Sequence, residues 1–111
     1  MPEHYEIREY LTADGHCPFQ AWLTGLRDRQ ARARIRARLD RVALGNLGDC
    51  KGVGEGVQEL RIFHGPGYRV YFGLDGDTVV LLLCGGSKDT QARDIQTAQR
   101  YWRDYRSRDD G

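Results

Sequence analysis

An α+β fold is predicted for this chain by three features of its sequence. One is a short alternating segment near the N-terminus, the second a pair of adjacent stretches with helical spacing of apolar residues, and the third a run of three strand-like segments closed by a last helical stretch. Tyr5 to Tyr10 alternates with period two and reads as a strand, ended by the turn residues Asp14 and Gly15. Pro18 then opens a helix in which Phe19, Trp22, Leu23 and Leu26 share one face. A second helix is expected from about Arg29 to Leu44, with Ala31, Ile35, Leu39 and Val42 as its buried stripe and Gly45 past its end. The two should form a helical hairpin packed on a sheet.

Residues 45–56 hold five glycines and few apolar side chains, which predicts a long surface loop. Three strands follow as an antiparallel meander: Val57 to Phe63, Tyr68 to Leu74 and Thr78 to Cys84. His64-Gly65-Pro66-Gly67 joins the first two, and Asp75-Gly76 predicts a tight turn between the second and third. Val79 to Leu83 is apolar on both faces, as expected for a central strand covered on both sides. Gly85-Gly86-Ser87 should break that strand, with Ser87 as N-cap of a C-terminal helix from about Lys88 to Arg106. Ile95, Ala98, Trp102 and Tyr105 form the face of that helix, and Ser107 to Gly111 reads as a frayed polar tail.

Composition agrees with one domain spanning residues 1–111. Hydrophobic residues make up 40% and charged residues 30%, with two Trp, six Tyr and three Phe, enough for a packed core. The longest apolar run, Val79 to Cys84, falls far short of the roughly 18–20 residues that span a bilayer. The N-terminus carries acids where a signal peptide carries a basic and then an apolar region, so no membrane partner and a cytoplasmic location are expected. Cys17, Cys50 and Cys84 are odd in number and widely spaced, which argues against a disulfide framework and a zinc site; His16 beside Cys17 lacks a second ligand pair. No cofactor is expected.

The net charge of +1 hides a pattern: residues 27–41 carry seven arginines against Asp28 and Asp40. A solvated helix face accounts for that run, and so does a footprint for nucleic-acid phosphates. Alternation in the first hairpin puts Leu60 and Ile62 on one face and Glu59, Arg61 and Phe63 on the other, while Arg69 and Tyr71 share the face of Arg61. Two neighbouring guanidiniums repel unless an acid or a bound anion lies between them. Either the face is solvated, with Glu59 paired to Arg69, or it is an anion site. Lys88, leaving the last strand at Gly85-Gly86-Ser87, would add a cation and a helix N-terminus to such a site.

Several segments in order along the chain carry a resemblance: Trp22-Leu23, "RARIRARL" from Arg32 to Leu39, "GNLGDCKGVGEGVQELRI", "GPGYRVYF", "LLLCGGSKDTQARDI" and Ala98 to Tyr101. In these the chain resembles the RelE/ParE superfamily of toxins from type II toxin–antitoxin systems, within it the HigB-like addiction module killer group. The resemblance implies a RelE-like fold and a partner antitoxin, in this group commonly a helix-turn-helix DNA-binding protein. It also implies a ribosome-dependent, metal-independent cleavage of mRNA, in which the ribose 2′-OH attacks the adjacent phosphate. That chemistry needs a base, cations on the phosphate and an acid for the leaving oxygen.

Carried over residue by residue, Arg69 matches a phosphate-binding arginine, Arg61 a basic position of the preceding strand and Lys88 the basic residue after the third strand. Active relatives carry two lysines where this chain has Glu59 and Arg61. Their C-terminal tyrosine corresponds loosely to Tyr101 or Tyr105. Glu59 is the candidate base and His64 the candidate acid, although a lone loop histidine is more often just a surface residue. The RNA-binding set is Arg32, Arg34, Arg36, Arg38, Lys51, Tyr68 and Tyr71; the arginines are expected on solvent faces, and the tyrosines either stack on bases or pack. Superfamily members that poison DNA gyrase, and inactive toxins that act only as antitoxin-binding corepressors, are the alternatives.

Overall fold

The computed structural model describes residues 3–109; Met1 and Pro2 of the acidic N-terminus, and Asp110 and Gly111 of the polar tail, lie outside it. The alternating N-terminal segment forms β1 (Glu6–Glu9). Pro18, whose fixed φ suits a first helical turn, opens α1 (Pro18–Gly25). Three residues later Asp28 caps α2 (Arg29–Ala43), its carboxylate accepting from the Gln30 and Ala31 N–H groups. So arginine-rich a helix is held by its stripe, and Ala31, Ile35 and Val42 are buried with Leu39 packed beside them.

The glycine-rich stretch differs from the expected loop. Cys50–Gly52 forms β2, paired antiparallel with β3 (Val57–Ile62) in the register Cys50↔Leu60, Lys51↔Glu59 and Gly52↔Gln58. An edge strand needs only one hydrogen-bonding neighbour, so three residues suffice, and Gly54 and Gly56 at positive φ turn the chain back into β3. β4 (Tyr68–Asp75) and β5 (Val79–Ser87) complete the predicted meander. The turn between them spans three residues.

Gly85 and Gly86 do not end the last strand, because β5 runs through them. Their role is close approach. A Cβ on Gly85 would overlap the Trp22 ring, and one on Gly86 would overlap the Asp94 carboxylate. Ser87 makes no side-chain cap; a 3-10 turn (Lys88–Thr90) intervenes before α3 (Gln91–Asp109), which continues through Ser107 and Arg108 instead of fraying there.

The sheet order is β1-β5-β4-β3-β2, with β1 parallel to β5 and every other pair antiparallel. This α+β arrangement is compatible with the RelE-like fold. The helical hairpin covers one face over Leu60, Ile62, Val70, Phe72, Val80 and Leu82, while α3 covers the other over Val57, Tyr71, Leu81, Leu83 and Cys84. β5 is thus buried on both sides, as its continuous apolar run predicts. A register shift between Tyr71 and Phe72 pairs them with Cys84 and Leu82, leaving Leu83 as the extra residue. Leu83 and Cys84 therefore both face α3. Among the described residues no helix is long and apolar enough to cross a membrane.

Candidate functional site

Arg61 and Arg69 are direct cross-strand partners. Both lie on the α3 face of the sheet, and because α3 begins only at Gln91 its layer ends where they stand. The acid between them is Glu59, fully buried. Its carboxylate accepts from Tyr71 Oη at 3.1 Å, Gln91 Nε2 at 2.8 Å and Arg61 Nε at 3.4 Å. Arg69 Nε lies 3.8 Å from the same carboxylate, an ion pair beyond hydrogen-bond reach.

Two guanidiniums therefore share one negative charge. Among the described residues Arg69 Nε is a buried nitrogen with no hydrogen-bond partner, in a side chain only 10% exposed. An unmade bond of this kind costs on the order of 1–3 kcal/mol. Burial, with Glu59 beside it, pushes the Tyr71 hydroxyl well above the ordinary tyrosine value. At physiological pH it donates and does not ionise.

Lys88 joins Arg69 through the hairpin loop. The Lys88 N–H donates to Gly67 O at 2.9 Å, and Lys88, Arg69 and His64 line one cleft of about 400 Å³ with Gly65 to Gly67. Lys88 is exposed and makes no ion pair among the described residues. His64 Nε2 lies 3.1 Å from Asp28 Oδ2, so the residue that caps α2 also fixes the imidazole. Hydrogen bonds from the Ala31 N–H and from His64 hold the Asp28 carboxyl below its ordinary value.

Several sequence candidates stand elsewhere. Glu59 is enclosed by four donors or cations, so it anchors the arginines and has no free face for a substrate hydroxyl. Arg38 is buried, not solvent-facing: its guanidinium donates to Leu47 O, and to Asn46 O at 3.5 Å, pinning the chain after α2. Arg32 is half-buried and donates to Leu26 O, whereas Arg34, Arg36 and Lys51 are exposed. Tyr68 packs edge-on against Trp22 on the opposite sheet face, and Tyr71 is sealed under α3, so neither ring is open to a base. Tyr101 stacks on Tyr10 at 4.9 Å, roughly 15 Å along α3 from Gln91.

Three participants were not read from the sequence. Gln91 and Asp28 look like ordinary polar residues until the fold brings them to Glu59 and His64. Phe63 was assigned to the strand, but β3 ends at Ile62 and its ring is 74% exposed.

Residues 21–103 match the family described as Phage derived protein Gp49-like (DUF891). An uncharacterized protein of Haemophilus influenzae is 48% identical over 81 residues, which cover 73% of this chain and 82% of that relative.

Proposed function

The chain belongs to the Gp49-like phage-derived family, a family associated with toxins of toxin–antitoxin modules, and on that premise we propose that it is such a toxin, cutting mRNA on the ribosome without a metal. The observation that carries this reading is the sharing of Glu59 by Arg61 and Arg69, with Lys88 beside Arg69 in one cleft. Three cations against one carboxylate leave excess positive charge where a phosphate gains negative charge in its pentavalent state.

In the proposed step the 2′-hydroxyl gives its proton to solvent water as its oxygen bonds to the adjacent phosphorus. The bond from phosphorus to the 5′-oxygen breaks as that oxygen gains a proton, giving a 2′,3′-cyclic phosphate and a 5′-hydroxyl end. Arg69 and Lys88, which line one cleft, bind the oxygens of the reacting phosphate, and Arg61, which shares Glu59 with Arg69 and lines the neighbouring cleft, adds positive charge from that side. His64, which lines the cleft with Arg69 and Lys88 and is oriented by Asp28, gives a proton to the leaving oxygen through Nδ1, the ring nitrogen not engaged by Asp28. Glu59 acts by fixing the two arginines. A cognate antitoxin silences the protein by covering the basic cleft or by displacing α3, and a complex that leaves both open would contradict this.

The test is to induce the protein in cells and map mRNA 5′ ends. Wild type is expected to give new 5′-hydroxyl ends within coding regions, and Arg69→Ala to lower cleavage by about 100-fold or more, the scale of losing one preorganised charge donor. Growth arrest with intact message sinks the nuclease reading. Arrest with a DNA damage response instead would assign the protein to the gyrase poisons, and harmless overexpression to the corepressors.

A further inference from the structure

We propose that Phe63 is a stacking platform for a nucleobase of single-stranded RNA, whose phosphates lie in basic clefts on either side of the ring. The inference rests on the RNA reading above and names a subsite that it does not include. Phe63 follows the last residue of β3, where the His64 N–H turns back to Ile62 O at 3.2 Å and the ring is left outside both cores. It is the most exposed of the large hydrophobic side chains described.

A single exposed apolar side chain is ordinary on a protein surface and by itself means nothing. What distinguishes Phe63 is that it walls two clefts at once. On one side lies the cleft with His64, Arg69 and Lys88. On the other lies a cleft of about 530 Å³ lined by Arg34, Arg38, Arg41 and Arg61, with Asp49 its one acid. An aromatic ring between two tracts of positive charge is the arrangement that binds single strands without a fixed sequence, the ring taking a base and the cations the backbone on each side. An acidic peptide would match the charge but does not by its acidic side chains offer the flat face that a nucleobase presents to the ring. Arg34 and Arg41, exposed on α2, thereby gain a role as backbone contacts, and Arg38 holds the wall of the cleft.

The experiment measures binding of a short 2′-deoxy-blocked oligoribonucleotide carrying 2-aminopurine to the full chain at about 50 mM salt, by anisotropy and by base fluorescence. Phe63→Ala is expected to weaken binding roughly 5- to 100-fold and to abolish quenching of the 2-aminopurine, while Phe63→Trp retains both. Replacing Arg34 and Arg41 together by Ala should lower the slope of log affinity against log salt by about 1.4. Unchanged melting temperatures confirm that these surface variants are folded. Wild type that fails to bind the oligomer, or Phe63→Ala that binds it as well as wild type, overturns the proposal; so does a Phe63→Ala that loses the antitoxin but not RNA, which gives the ring to the protein partner. Absence of cleavage in cells with base quenching intact would instead reject the nuclease reading and leave this subsite standing.

Discussion

Glu59 carries one negative charge for two arginines, so the fold needs its charge more than its shape. Glu59→Gln keeps an acceptor for Tyr71 and Gln91 but leaves the guanidiniums uncompensated. We expect it to lower stability by about 1–3 kcal/mol, measured as a urea midpoint at unchanged slope. Because Arg61 is partly exposed, about 0.5 M salt should restore part of the loss; equal stability of wild type and variant would remove Glu59 as the counter-ion. A second residue-scale expectation concerns alkaline pH. Burial pushes the Cys84 thiol from 9.0 up to about 12, and burial with the Asp104 hydrogen bond pushes Tyr10 from 10.0 up to about 12. Both stay protonated in the fold and ionise earlier in the unfolded chain, so stability is full below about pH 9 and falls as pH rises toward 12. The urea midpoint should drop between about pH 9 and pH 12, and by less in Cys84→Ala than in wild type.

At the scale of elements, helices and sheet meet through glycines that have no side chain to interfere. Trp102 of α3 lies over Gly73 of β4, and Trp22 of α1 over Gly85 of β5. Gly73→Ala puts a methyl group into the Trp102 ring with no backbone strain to relieve, and should cost about 1–3 kcal/mol by overpacking, seen as a lower melting temperature. α2 offers an internal comparison between arginines that the sequence cannot tell apart. Arg38→Ala removes the hydrogen bonds that pin Asn46 and Leu47 and should cost about 1–3 kcal/mol, whereas Arg36→Ala should stay within about 0.5 kcal/mol. Equal effects of the two would mean that Arg38 does not brace the chain after α2. Helical spacing places both on α2, but the position of the following loop decides which of them is structural.

Across the whole molecule, β5 pairs with both β1 and β4 under two layers of helix, while β2 is a three-residue edge. Within the sheet, amide exchange should therefore be slowest at Val70, Tyr71 and Leu82 and fastest at Cys50 to Gly52, and a β2 as protected as β5 would contradict the edge assignment. Periodicity along the chain was enough to determine most of the elements, the meander and the pairing of Arg61 with Arg69 on one face, because side-chain alternation and helical spacing are local properties. The parallel placement of β1 against β5, the short β2, and the extra residue at Leu83 that turns Cys84 toward α3 were settled only in the folded molecule. So were the enclosure of Glu59, Tyr68 and Tyr71, the removal of Tyr101 from the basic cluster, and the exposure of Phe63 between two clefts. Each of these depends on which distant segment lies against the residue, and one-dimensional spacing carries no information about that.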